Sequence, residues 1–178
     1  MGKRSDFARR PNDAYPTPRE AVPFLIPHLE GIRTYAEPCA GEGALIGHLA
    51  EFGLECVFRN DIDAGVDALT LSGFGEADAI VTNPPWTRAV LHPMIQHFAK
   101  FAPTWLLFDA DWAFTKQAAP FLKDCSRIVS VGRLKWIPDS KYSGKDNCAW
   151  YQFESGHQSG PQFIGFDAGA RDLVGVYA

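Results

Sequence analysis

No apolar run in the 178-residue sequence approaches the roughly 18 residues needed to cross a bilayer. The opening segment, MGKRSDFARRPND, has no apolar stretch of the kind a secretory leader carries. Both absences imply a cytoplasmic protein with no membrane contact. Cysteine is scarce: Cys39, Cys56, Cys125 and Cys148 stand far apart with no Cys-x-x-Cys pair, which excludes a zinc ribbon or a disulfide framework and implies reduced thiols, mostly in the core. His28, His48, His92, His97 and His157 share no metal-ligand spacing, so no metal is expected. An excess of positive charge is missing too. Seventeen Lys and Arg against 21 Asp and Glu give a net charge of −4, so any contact with a polyanion must come from a local patch.

What is present suits one compact domain over residues 1–178, since 46% of residues are hydrophobic and 21% charged. The first 19 residues combine Lys3, Arg4, Arg9, Arg10 and Arg19 with three prolines, which reads as an extended basic arm, flexible over 1–14. A helix is expected next: Thr17-Pro18-Arg19-Glu20 reads as a capping box leading into Ala21, Val22, Leu25, Ile26 and Leu29, although Pro23 and Pro27 each remove a backbone donor. From residue 33 strands (34–36, 55–60, 79–83, 104–108) alternate with helices (44–52, 89–101, 116–122). Two further strands, 127–136 and 148–154, flank a polar segment as an antiparallel hairpin would. The expected fold is α/β, an open and mostly parallel sheet whose ligand site lies beyond the carboxyl ends of the strands.

Two loops at such strand ends carry chemistry. In Glu37-Pro38-Cys39-Ala40-Gly41-Glu42-Gly43 the glycines permit a tight bend and close ligand approach, while Glu37 and Glu42 would repel a phosphate and suit a ligand bearing an amino group. Asp61 ends the next strand, where a carboxylate can accept both hydroxyls of a ribose; it can equally cap the turn that follows. The second loop is Asn83-Pro84-Pro85-Trp86. Successive prolines fix the backbone and offer no N–H, Asn83 adds a side-chain carbonyl and Trp86 a flat face, together two acceptors and a plate for a planar ring with an exocyclic NH2.

These residues, in this order, resemble the S-adenosylmethionine-dependent amino-methyltransferases, specifically the adenine-N6 branch. The likeness covers roughly residues 15–154 and rests on Tyr15-Pro16-Thr17-Pro18, the Glu37–Gly43 loop, Asp61, and Asp78 through Trp86. It implies a Rossmann-like class I methyltransferase fold using S-adenosylmethionine. Tyr15 and Thr17 would touch the methionine part of that cofactor, Glu37, Gly41 and Gly43 would line its amino-acid end, Asp61 would hold the ribose, Asp67 would contact the adenine, and Cys39 would also belong to the cofactor-binding residues. Asn83, Pro84, Pro85 and Trp86 would form the catalytic segment, and Trp136 resembles a second aromatic brought to the target base. The implied reaction is methylation of adenine N6 in DNA, on a base that is flipped or single-stranded. The same motif is similar to that of enzymes acting on RNA adenine or on protein glutamine amides.

Residues 127–145 hold Arg127, Arg133, Lys135, Lys141 and Lys145, interleaved with Trp136 and Tyr142, and read either as a strip that tracks a nucleic-acid backbone or as a solvated hairpin. Asp78 is expected to order the strand beside it. Asp109 and Asp111 could shape a pocket or cap a turn.

Overall fold

The computed structural model describes residues 15–137, 139 and 141–170; the basic arm expected over 1–14 lies outside them. Alternating apolar positions build seven strands: β1 (Thr34–Glu37), β2 (Glu55–Arg59), β3 (Ala79–Thr82), β4 (Thr104–Asp109), β5 (Cys125–Arg133), β6 (Asn147–Phe153) and β7 (Gln162–Ile164). They form one sheet in the order β2-β1-β3-β4-β6-β5-β7. The pairs β1·β2, β1·β3, β3·β4 and β5·β7 are parallel, and β6 runs antiparallel between β4 and β5. Strand β5 therefore points the same way as β4. The carboxyl ends of β1 to β5 open on one edge of the sheet, and the loops that follow them gather there.

Three α-helices, α1 (Ala44–Ala50), α2 (Arg88–Phe98) and α3 (Ala119–Leu122), join these strands. All four residues of β3 and five of the six in β4 are buried, as in a sheet covered on both faces. The two-residue period divides their side chains. Val81, Trp105, Leu107 and Trp150 pack with Leu45 and Leu49 of α1, whereas Ile80, Leu106, Phe108 and Tyr151 pack with Leu91, Ile95 and Phe98 of α2. Phe108 and Tyr151 stack at 4.0 Å across the β4·β6 pair, adding a specific aromatic contact to their burial.

The helix expected after Thr17 does not form. Two short 3-10 turns, Arg19–Ala21 and Ile26–His28, take its place, because Pro23 and Pro27 withhold the amides a continuous helix needs. No side chain caps the first turn. Glu20, read as the reciprocal half of a capping box, instead accepts the Lys135 amide at 2.9 Å and ties this segment to the β5–β6 hairpin. The segment still buries Ala21, Val22, Phe24 and Leu25, and the Trp150 indole donates to the Ala21 carbonyl at 2.9 Å. Trp150→Phe removes that donor and leaves a void and a buried carbonyl, so unfolding by urea should show a loss of about 2–4 kcal/mol.

Between β2 and β3 there is no α-helix, only the 3-10 turns Ile62–Ala64 and Ala68–Thr70. Each begins with an aspartate whose side chain accepts the amide two residues on: Asp61 from Asp63 at 3.0 Å and Asp67 from Leu69 at 2.9 Å. Asp109 repeats the device with Asp111 at 2.9 Å after β4, which gives Asp109 its capping role. The Asp78 carboxylate accepts from the Arg33 and Thr34 amides and the Thr34 hydroxyl, and those bonds hold it below the usual carboxylate range. Strand β7, three residues on the far edge, was not expected.

Candidate active site

The loop from β1 to α1 crosses the carboxyl end of β2. Gly41 and Gly43 take φ of +50° and +89°, a region that side chains other than hydrogen rarely adopt, so the two glycines allow the turn. The end of β2 clamps this loop. The Gly41 amide donates to Asp61 Oδ2 at 2.6 Å, Arg59 Nη2 donates to the Gly41 carbonyl at 2.8 Å, and the Ala40 amide reaches the Asn60 carbonyl at 2.9 Å. Asp61 thus spends one oxygen on Gly41 and the other on Asp63, and a carboxylate with about four acceptor sites still has room for two hydroxyl donors.

Glu37, the last residue of β1, is 2% exposed, and its Oε2 has no hydrogen-bond partner. Burial pushes this carboxyl up to about 8, against the pull of Arg59 and with a push from Asp61. A buried carboxyl with an orphaned oxygen is costly to keep unless a donor arrives, and an ammonium group is a donor that also favours its ionised form. Cys39, expected beside the same ligand, directs its sulfur at Met94 Sδ, 4.0 Å away, and leaves only its backbone to the loop.

Beyond β3, Asn83 is held from two sides. Its Nδ2 donates to the Tyr15 carbonyl at 3.3 Å, and its Oδ1 accepts from Trp86 Nε1 at 3.2 Å; the same indole N–H lies 3.2 Å from the Leu107 carbonyl. Trp86 thereby fixes the amide of Asn83 in orientation. Pro84 is buried and Pro85 half-buried between them. Trp136 meets Trp86 edge to face at 5.5 Å and Tyr15 at 6.5 Å. Tyr15, Asn83, Trp86 and Trp136, separated by up to 121 positions in the chain, form one cluster.

Thr17 is buried beside that cluster, and a cavity of about 290 Å³ runs past Thr17, Arg19, His48, Lys135 and Trp136. A second cavity, about 370 Å³, lies at the opposite end of the sheet between Lys100, Asp124 and Phe153, away from these groups. Arg133, Lys135 and Lys141 are exposed on the hairpin at the site end. Arg127 does not join them: it pairs with Gln152 six residues back along β5, about 20 Å from Arg133 at strand spacing. The sequence strip is therefore split, with its cations concentrated after residue 132. Exposed Asp67 sits on the turn after Asp61, its Oδ1 engaged by Leu69. Arg59 went unnoticed in the sequence, where an arginine on a strand carries no signal of the loop it faces.

Among the described residues no group of His, Cys, Asp and Glu is placed to hold a metal, and no helix is long and apolar enough to cross a membrane. No protein-family model matches the sequence, and no curated protein matches it. Solved structures similar to it include a candidate RNA methyltransferase from Pyrococcus horikoshii, 18% identical over 85% of this chain and 92% of that one, with a TM-score of 0.49. A dimethyladenosine transferase from Plasmodium falciparum is 12% identical over 79% of this chain and 62% of its own (TM-score 0.46), and a chain of a type I R-M system is 16% identical over 86% and 45% (TM-score 0.46). This chain thus spans less than two thirds of the latter two. The architecture is α/β, a seven-stranded and mostly parallel sheet with one antiparallel strand.

Proposed function

We propose that residues 1–178 form a single S-adenosylmethionine-dependent methyltransferase domain, cytoplasmic, that methylates adenine N6 in DNA. One observation carries this reading: a buried carboxyl with an unpartnered oxygen, Glu37, ends β1, while the neighbouring strand β3 is followed directly by an asparagine, Asn83, whose amide is locked in orientation by Trp86 and Tyr15. The first suits an ammonium-bearing ligand, the second an aromatic amine beside it.

When bound, S-adenosylmethionine supplies an electrophilic methyl group on a sulfonium sulfur. Glu37 would take its ammonium, Asp61 its ribose hydroxyls, Asp67 its adenine side, and Tyr15 with Thr17 would close over its methionine end. The acceptor amine of adenine is a weak nucleophile because its lone pair is delocalised into the ring. Asn83 Oδ1 keeps a lone pair beyond the one given to Trp86, and the Pro84 carbonyl has no proline N–H nearby to occupy it. With one N6 hydrogen on each oxygen, the nitrogen is drawn toward tetrahedral geometry and its lone pair is localised. Fixing both reactants in this way can supply up to roughly 7–11 kcal/mol of barrier lowering, and the proton that N6 sheds once methylated is strongly acidic and would pass to water, so no strong base is required. Trp86 and Trp136 offer aromatic surface to the extruded base, at about 1–3 kcal/mol per stacked base. Arg133, Lys135 and Lys141 would meet phosphates.

Incubation with labelled cofactor and DNA, followed by nucleoside digestion, should yield N6-methyladenine. Label appearing only in RNA or only in protein would move the acceptor, and no label in any of the three would reject the enzyme reading.

A further inference from the structure

The glycine loop has a cation beside it that the proposed mechanism leaves idle. Arg59 spends one N–H on the Gly41 carbonyl, and a Cβ built on Gly43 would lie 3.4 Å from Nη1 and 3.5 Å from Cζ, so the guanidinium lies along the loop where a side chain at 43 would crowd it. Arginine has five N–H donors, and the other four have no partner among the described residues. Glu37 feels this charge, yet the two do not pair: Glu37 Oε2 has no hydrogen-bond partner. A carboxyl at the end of β1 and a guanidinium at the end of β2, register partners that do not bond, thus flank one loop that is bare of side chains at 41 and 43. A ligand with a cation and an anion on the same carbon matches that arrangement, and the α-amino-acid zwitterion is such a group.

We propose that Arg59 binds the α-carboxylate of the cofactor's amino-acid end while Glu37 holds the ammonium. The proposal rests on the S-adenosylmethionine reading and adds a residue that sets selectivity for the intact amino acid over its truncated forms. The planar fork of arginine suits a carboxylate bidentately, and its contact with Gly41 fixes it in place beforehand.

Calorimetric titration of the full chain with S-adenosylhomocysteine and with 5′-methylthioadenosine, which lacks the amino-acid carbons, separates the possibilities. In Arg59→Met the affinity for S-adenosylhomocysteine should fall roughly ten- to hundredfold, as for a lost hydrogen bond to a charged group, while that for 5′-methylthioadenosine falls at most about threefold, the share owed to the lost Gly41 contact. Arg59→Lys, retaining charge without the fork, should fall between. An equal loss for both ligands would assign Arg59 to loop support alone and overturn the proposal, as would an unchanged affinity for S-adenosylhomocysteine. If the unmodified protein binds neither nucleoside, the cofactor reading itself fails, and this inference with it.

Discussion

Asn83→Ala should lower the methyl-transfer turnover by on the order of 10²–10³-fold, the loss typical of one polar contact to a reacting group, and leave cofactor affinity within a few-fold of the original. The two effects should separate for a geometric reason. In the proposed site Asn83 Oδ1 would be one of two acceptors that localise the amine lone pair, and alanine removes it outright. The indole N–H that loses Asn83 still lies 3.2 Å from the Leu107 carbonyl, so Trp86 keeps a partner and the strand end keeps its shape. The small loss in cofactor binding comes from Tyr15, whose carbonyl no longer receives Nδ2. Asp61→Ala is the counterpart. It would remove the acceptor proposed for the ribose hydroxyls and cuts one of the three bonds between the loop and the end of β2, so cofactor affinity should drop at least tenfold. Single-turnover rates at saturating cofactor, set beside equilibrium titrations, resolve the two variants. Equal loss of cofactor by both would mean that Asn83 and Asp61 share one binding role, contrary to the division proposed.

The strand ends were legible in the sequence because each carries a local rule. Residues 79–82 form a short apolar run closed by Asn-Pro-Pro, and 34–37 lead into glycines that only a turn explains, so both loops fall where the alternation places them. Long-range partners were not legible. Nothing near Glu20 announces that it will accept an amide 115 positions away, and the capping-box pattern around it is met by prolines that stop the helix it would cap. Arg127 and Arg133 look like neighbours on one strip, but strand geometry spreads six residues along the length of the domain. Arg59 shows the same limit from the other side: on an edge strand with every second residue exposed, only the fold reveals that it faces Gly41 and Gly43. Strand β7 is three residues long and depends on pairing with β5, which no local pattern encodes.

Affinity for S-adenosylhomocysteine should rise with pH between 6 and 8 by up to about tenfold per unit, and Glu37→Gln should both weaken binding and flatten that slope. Burial holds the Glu37 carboxyl at about 8, far above its ordinary 4.5, so at neutral pH the free protein keeps this group largely protonated. An ammonium ligand needs the carboxylate. Binding must then expel a proton, and the cost of doing so shrinks as pH approaches 8. The same shift acts on stability with a definite sign. Between 4.5 and 8 the native state retains a proton that the unfolded chain has released, so stability contributed by this site falls as pH rises through that window and levels off above it. Glutamine, neutral throughout, removes the slope, and Glu37→Gln should gain thermal stability relative to the unmodified chain at pH 8 compared with pH 5. Titrations in two buffers of different ionisation enthalpy count the proton directly. About one proton released per ligand at pH 7 in the unmodified protein, and none in Glu37→Gln, is the expected outcome. A pH-independent affinity with no proton release would place the ammonium elsewhere and leave the orphaned oxygen of Glu37 without the partner proposed for it.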